Sequence, residues 1–156
     1  MTRSPTPSQT VGPFFGFALP FAGDAEVDGD GIRIEGQVLD GEGQPVGDAI
    51  LELWEGDQFA RCRTDAEGAF HFRARRPVAQ PGQAPHFELW VFARGLLRQL
   101  ATRVYLPDEE EANRADPALR AVAADRRETL IARSSGEVLI FDVRLQGDRE
   151  TVFFAL

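Results

Sequence analysis

The sequence reads Phe87-Glu88-Leu89-Trp90-Val91-Phe92 near its middle, directly before Ala93-Arg94-Gly95. Aromatic and branched residues dominate this run, which is typical of a strand that is buried on at least one face. Glycine directly after Arg94 favours a reversal of the chain. We therefore expect a buried strand that ends in a turn, with the Arg94 side chain emerging at that turn.

Similar short runs lie on both sides of this central strand. Ala49–Trp54 is almost wholly apolar and predicts a strand buried on both faces. Asp65-Ala66-Glu67-Gly68 has the composition of a hairpin turn, with glycine in the left-handed position. The remaining strands are expected at Ile32–Val38, Arg61–Thr64, Ala69–Arg73, Leu97–Leu106, Leu130–Ala132, Val138–Leu145 and Thr151–Phe154.

Pro107–Arg127 is the one stretch that is predicted to be helical. Its acidic residues cluster at the start and its arginines at the end, which is the distribution that a helix dipole favours. Many short strands with almost no helix are typical of a sandwich of two sheets. The sequence therefore predicts an all-β, two-sheet antiparallel β-sandwich with one short helical segment. This domain is expected to span residues 32–156.

Residues 1–31 form a different kind of segment. Proline and glycine punctuate Pro13–Phe21 and argue against a regular helix, yet the stretch holds four phenylalanines. Each phenylalanine left in water would forfeit roughly 1.5–3 kcal/mol. We expect this N-terminal arm to pack either on its own domain or on a neighbouring subunit.

The composition excludes several classes of protein. A net charge of −8, with scattered basic residues, disfavours nucleic acid as a partner. Cys62 is the only cysteine, so neither an intrachain disulfide nor a zinc cluster of several thiolates is possible. The sequence shows no apolar leader and no run long enough to span a membrane, so we expect a cytoplasmic protein without membrane contact.

The residues that could carry chemistry are few. His71 alternates with buried phenylalanines and is expected to be a surface residue. His86 and Glu88 share one side of a strand and resemble half of a metal site, but a complete site needs more ligands than this. The chain holds only two histidines and one tyrosine. From this inventory we expect no complete catalytic site, so any chemistry must be shared with a partner chain.

The sequence resembles the intradiol ring-cleavage dioxygenases, and within that family the iron-free alpha subunit of a hetero-oligomeric member. The matching stretches keep the family order and run nearly from end to end. They are Thr6-Pro-Ser-Gln-Thr-Val-Gly-Pro-Phe14, Ile34-Glu-Gly-Gln-Val38, Leu51-Glu-Leu-Trp54, Ala84-Pro-His86, Phe92-Ala-Arg-Gly95, Thr102-Arg-Val-Tyr105, Arg127-Glu-Thr-Leu-Ile-Ala132, Phe141-Asp-Val-Arg-Leu-Gln-Gly147 and Glu150-Thr-Val-Phe-Phe154.

The resemblance implies a hetero-oligomer of alpha and beta chains in which the beta chain holds Fe(III) through two tyrosines and two histidines. The complex is expected to cleave protocatechuate with dioxygen between its hydroxyls, giving 3-carboxy-cis,cis-muconate. In this chain His86 stands at a relict ligand position, Glu88 replaces the second histidine, and neither ligand tyrosine is present. No metal site is therefore expected here, nor activity of the isolated chain.

The same resemblance implies which residues this chain lends to the site of the beta chain. Thr10, Gly12, Pro13 and Arg94 are expected to bind the substrate, and Arg94 is also expected to assist catalysis. The arm would then pack at the subunit interface. A transthyretin-like sandwich that binds a partner without catalysis is the alternative, and the composition fits it equally well.

Overall fold

The computed structural model describes residues 6–155 and shows two packed β-sheets. The first sheet has the order β4-β1-β8-β7, with β9 also pairing with β1; the second has the order β3-β2-β5-β6. The strands are β1 (Ile32–Leu39), β2 (Ile50–Glu55), β3 (Gln58–Arg63), β4 (Ala69–Ala74), β5 (His86–Phe92), β6 (Leu100–Tyr105), β7 (Arg133–Ser135), β8 (Val138–Ile140) and β9 (Val143–Arg144). The predicted β-sandwich is confirmed.

The main core lies between the two sheets. Alternate residues of each strand point inward, as the two-residue period of a strand requires. In β2 these inward residues are Leu51 and Leu53, which join Phe72, Phe87 and other apolar side chains in one buried cluster. Its outward residues Ile50 and Glu52 are also buried. The prediction that β2 is buried on both faces is therefore confirmed.

The first sheet is mixed, not purely antiparallel. β1 runs antiparallel to β4 but parallel to both β8 and β9. The second sheet is antiparallel throughout. The prediction of antiparallel sheets was wrong for the first sheet, because strand direction depends on pairings between residues about a hundred positions apart, which a local pattern does not encode.

The predicted hairpin at Asp65–Gly68 is a turn of a different kind. Gly68 does adopt the left-handed conformation, with φ of 72°, and its backbone N–H donates to the carbonyl of Asp65 at 3.0 Å. However, β3 pairs with β2, while β4 pairs with β1. The turn therefore connects the two sheets. The hairpin prediction was wrong because a turn within a hairpin and a turn between two sheets have the same local sequence signals.

The predicted helical stretch Pro107–Arg127 is broken into α2 (Glu110–Ala115) and α3 (Pro117–Ala121), before a 3₁₀ turn at Arg127–Leu130. Asp116 lies between them in an extended conformation, with ψ of 125°. A residue that precedes proline disfavours the helical region, so Pro117 ends one helix and begins the next. Two of the three strands expected after this stretch, Leu130–Ala132 and Thr151–Phe154, form only isolated bridges.

The arm contains a single helical turn, α1 (Phe15–Ala18), where the sequence argued against a regular helix. Its backbone then follows the edge of the second sheet, since the backbone N–H of Arg61 in β3 donates to the carbonyl of Asp24 at 2.8 Å. Residues 1–5 of the expected arm lie outside the described residues. No helix within residues 6–155 combines the length and apolar character needed to cross a membrane.

Candidate functional site

The arm and the turn after β5 meet at one end of the second sheet. Gly95 has a φ of 88°, a backbone conformation that favours glycine at this turn. Its backbone N–H donates to Oγ1 of Thr10 at 2.9 Å, across 85 positions of sequence. Gly12 and Pro13 follow Thr10 on the exposed surface. The structure thus places Thr10 against Gly95, the residue that directly follows Arg94; Thr10 and Arg94 are two of the residues expected to contribute to a shared site.

Arg94 itself lies on the surface beside this contact. Its guanidinium forms an ion pair with the carboxylate of Asp48, in the loop before β2. The Arg94 side chain is 64% exposed. Exposed ion pairs contribute about 0–1 kcal/mol, so the guanidinium can leave Asp48 for another anion at little cost. Sequence reasoning missed Asp48, because 46 residues separate it from Arg94.

The arm presents its phenylalanines to solvent. Phe14, Phe17 and Phe21 are 67%, 65% and 72% exposed, and the first two rings are in edge-to-face contact at 5.4 Å. The inner side of the arm passes close to β3 at the buried Gly16, where an added Cβ would lie 3.2 Å from Nε of Arg63. We call Phe14, Phe17 and Phe21 the arm aromatics. Their exposure creates an apolar surface on the arm, in the segment that follows Thr10 in the sequence.

A groove of about 480 Å³ lies on the outward face of the same sheet, toward the other end of β5. The strand register places Phe59, Trp54, Glu88 and Arg103 in one row across the four strands. The groove is lined by Trp54, Glu55, Gly56, Val78, Gln80, Gln83, His86, Glu88, Trp90 and Arg103. It contains His86, which the family resemblance places at a relict ligand position, and Glu88, two residues further along β5.

His86 is held by its own strand and by β6. Its Nδ1 lies 2.8 Å from the carbonyl of Ala84, and its ring centroid lies 5.1 Å from that of Tyr105. Burial is the main cause that lowers the pKa of His86 below its ordinary value, and the nearby Arg103 lowers it further. The imidazole is therefore neutral at physiological pH.

Tyr105 is the only tyrosine of the chain and is fully buried. Its hydroxyl donates to Oδ1 of Asp116 at 3.1 Å, and it accepts from the Arg103 guanidinium at 3.3 Å. Burial raises the pKa of Tyr105 to about 12. A phenolate is the form that ligates iron, so this phenol is a structural hydrogen-bond donor and not a ligand.

Asp116, the acceptor of the Tyr105 hydroxyl, is only 1% exposed. Its carboxylate accepts from the backbone N–H groups of Ala84, Ala118 and Leu119 at 2.8–3.0 Å, as well as from Tyr105. Burial acts to raise the pKa of Asp116, but these hydrogen bonds outweigh it and hold the pKa below 3.8. The Asp116-Pro117 pair was a sequence signal for this helix cap that the prediction of one long helix overlooked.

The residues around the relict position do not fit an iron site. Within residues 6–155, no three histidine, cysteine, aspartate or glutamate side chains converge closely enough to hold a metal ion. His86 and Glu88, two residues apart on one strand, offer two ligands at this position, fewer than the three or four that a protein metal site uses. The groove therefore has chemistry of its own, which is not that of a metal centre.

The comparisons with known proteins agree with this geometry. The chain is 36% identical to the protocatechuate 3,4-dioxygenase alpha chain of Burkholderia cepacia, over 98% of this chain and 98% of that one. It is equally similar, at 36%, to the alpha chain of Pseudomonas putida, over 96% of this chain and 95% of that one. The chain belongs to the protocatechuate 3,4-dioxygenase alpha-chain family. The resemblance seen in the sequence is confirmed.

More distant relatives of this alpha-chain family share the fold. The beta chain of the Burkholderia cepacia enzyme is 29% identical over 69% of this chain and 57% of its own length. The dioxygenase domain of a carbohydrate-binding fusion protein from Streptomyces sp. SirexAA-E aligns over 92% of this chain and 99% of its own, with a TM-score of 0.61 and 24% identity. Catechol 1,2-dioxygenase from Pseudomonas arvilla C-1 has a TM-score of 0.54 and 24% identity, over 79% and 56% of the two chains. No protein-family profile matches the chain.

Proposed function

We propose that this chain is the alpha subunit of a protocatechuate 3,4-dioxygenase and completes the active site of an iron-bearing beta chain. The assembled enzyme would insert both atoms of dioxygen into protocatechuate and release 3-carboxy-cis,cis-muconate. Fe(III) would be held by the beta chain, because the residues at the relict position of this chain do not fit it. The near full-length similarity to two alpha chains supports this proposal over a non-catalytic binding module.

The observation that carries the proposal is the hydrogen bond between Gly95 and Thr10. It fixes the arm segment Thr10–Pro13 beside the turn that bears Arg94, although the two lie far apart in sequence. A residue lent to another subunit must be both exposed and positioned, and this contact supplies the positioning. Thr10, Gly12, Pro13 and Arg94 are all exposed, and we propose that a partner covers them as one surface, the ridge.

Arg94 has the chemistry that an anionic aromatic substrate requires. The guanidinium is charged at any physiological pH and donates to carboxylate or phenolate oxygens in a planar fork. Within the described residues the ion-pair partner of Arg94 is Asp48. Because the Arg94 side chain is largely exposed, substrate oxygens can compete with Asp48 for the guanidinium. Once a partner excludes water from this ridge, the charged hydrogen bond to substrate strengthens. We assign Arg94 to substrate binding and to stabilisation of negative charge during ring cleavage.

The arm, residues 1–31, is proposed as the subunit-contacting segment, and residues 32–156 as the sandwich domain that supports it. The arm aromatics support this division, because three large rings on a four-residue turn and its flanks are exposed, while hydrogen bonds from Gly95 and Arg61 already anchor the arm on both sides of them. Complete burial of a phenylalanine contributes roughly 1.5–3 kcal/mol, so covering the exposed two-thirds of each ring contributes about 1 kcal/mol or more to association.

The proposal is tested by purifying the tagged chain from its native host and analysing the eluate. The expected result is an equimolar second chain, iron, the visible absorption of tyrosinate bound to Fe(III), and oxygen uptake with protocatechuate. The same chain, produced without a partner, is the control and is expected to be inactive. A lone, iron-free protein would instead favour a binding module, and iron on the lone chain would overturn the assignment of the metal to the partner.

A further inference from the structure

Both tryptophans of the chain line the groove on the outward face of the second sheet. Their ring centroids lie 6.0 Å apart, with the planes inclined at 45°, and Trp54 also contacts Phe59 at 4.4 Å. Trp54 remains 38% exposed despite these contacts. One face of an aromatic cluster is therefore open to whatever enters the groove.

A carboxylate stands directly beside this open indole. Glu88 is the cross-strand neighbour of Trp54 in the register of β2 and β5, and its side chain is 48% exposed. Its nearest cationic contact is Arg103, at the 4.0 Å limit for an ion pair. No hydrogen bond from another side chain to Glu88 is present within the described residues. The carboxylate is therefore available to a ligand.

Arg103 is engaged elsewhere and does not neutralise the groove. Its guanidinium donates to Oε1 of Gln83 at 3.1 Å and to the Tyr105 hydroxyl, and it lies over the ring of Phe154. Glu55 adds a second carboxylate to the lining, already occupied by hydrogen bonds from Gln58 and Val78. With a neutral His86, two carboxylates face one guanidinium, so the groove carries a net negative charge.

We propose that this groove binds an organic cation, with an alkylguanidinium or alkylammonium head stacked on Trp54 and paired with Glu88. An indole face beside a carboxylate attracts such a cation by both its quadrupole and its counter-charge. A planar guanidinium satisfies both contacts at once, because it stacks on the ring and donates to the carboxylate from its edge. The volume of about 480 Å³ is within the range of small-molecule sites.

The cation could belong to a free small molecule or to a basic side chain of a partner subunit, and the chemistry of recognition is the same. The test uses the intrinsic fluorescence of the chain, because its two tryptophans both lie in the groove. We expect n-butylguanidinium to change the emission saturably at constant ionic strength. The neutral isostere n-butylurea should leave the emission unchanged.

Three variants locate the site. Glu88→Gln removes the charge of an exposed side chain and should weaken the binding of n-butylguanidinium about tenfold or more. Glu137→Gln makes the same change in charge on the other sheet and should bind as the unmodified chain does. Trp90→Phe should retain the response through Trp54. Equal responses to the urea, or equal affinities of the two glutamate variants, would overturn the proposal.

Repeating the titration with the chain assembled on its partner identifies the source of the cation. A response that persists in the complex shows a groove open to a free small molecule. A response that is lost, together with weaker assembly of Glu88→Gln, shows that a basic side chain of the partner occupies the groove. Absence of a response in the free chain, with unchanged assembly of Glu88→Gln, would refute both forms. These readings do not depend on ring-cleavage activity and so stand apart from the test of the proposed function.

Discussion

The two ends of β5 show opposite ways of using polar residues. At its start, His86 lies near Tyr105 and Asp116, whose hydrogen bonds are made within the chain. Past its end, Arg94 and the arm segment at Thr10 lie on the surface, joined to the fold by a backbone hydrogen bond and an exposed ion pair. The Tyr105–Asp116 network is buried and self-sufficient, and we call it the closed end, as distinct from the exposed groove beside it. The surface at Arg94 and Thr10 is the open end.

The difference follows from the cost of burial. A buried polar group must be satisfied inside the fold, since an unsatisfied one costs about 1–3 kcal/mol. An exposed group has no such requirement and can be satisfied later by a partner. The comparison therefore predicts that changes at the closed end lower the stability of the free chain, whereas changes at the open end affect assembly and kinetics.

Asp116→Ala should break the closed end and have the largest effect. The change removes four hydrogen bonds to one carboxylate, uncaps α3 and leaves the Tyr105 hydroxyl and the Ala84 N–H without their acceptor. We expect the free energy of unfolding to fall by about 3–5 kcal/mol, measured by urea denaturation. Asp125→Ala, an exposed aspartate farther along the same segment, is the control and should change stability by less than about 0.5 kcal/mol.

The pH dependence of the same residue sharpens this prediction. Because the pKa of Asp116 is below 3.8 in the folded chain, the ionised carboxylate stabilises the fold above that pH. This contribution is lost as the pH falls through the lower, folded-state pKa. The stability difference between the unmodified chain and Asp116→Asn should therefore be constant near neutrality and narrow in acid below about pH 4. A difference that stays constant into acid would contradict the assignment.

The triple change of Phe14, Phe17 and Phe21 to serine should weaken the subunit contact at the open end without affecting the free chain. Since these rings are exposed in the free chain, its thermal unfolding should be unchanged. Association with the beta chain should weaken by about 3 kcal/mol, or roughly a hundredfold in Kd, measured by calorimetry. Unchanged association would show that the arm serves only its own domain.

Arg94→Ala should affect kinetics more than assembly. We expect kcat/KM for protocatechuate to fall by the equivalent of about 1.5–3 kcal/mol, the loss of one charged hydrogen bond. Arg94→Lys keeps the charge but not the planar fork, so it should restore only part of the rate. Steady-state kinetics of the assembled enzyme provide the measurement. If both variants have unchanged kinetics, Arg94 does not contribute to the shared site.

Asp48→Asn should have the smallest effect. The ion pair with Arg94 is exposed, so its loss should change the stability of the free chain by less than about 1 kcal/mol. In the assembled enzyme the freed guanidinium should alter KM by only a few-fold, whereas Arg94→Ala has a larger effect. A loss as large as that of Arg94→Ala would mean that Asp48 itself contacts the substrate.

The sequence was informative where a local pattern decides the structure. The strand at His86–Phe92, the left-handed glycines at positions 68 and 95 and the buried β2 were all predictable from composition and period. Pairings between distant residues were not: the parallel register of β1 with β8 and the contact of Arg94 with Asp48 have no local signal. The row of Trp54, Glu88 and Arg103 likewise depends on strand order, which the sequence did not supply.

The parallel pairing of β1 has a consequence for biosynthesis. One edge of β1 pairs with β4, but the other is completed only by β8 and β9, about a hundred residues later. During translation that edge stays unpaired until most of the chain has left the ribosome. An open strand edge is a template for aggregation, so the nascent chain is prone to aggregate for a long part of its synthesis. Slowing synthesis before Val138 would lengthen that interval and lower the yield of folded subunit.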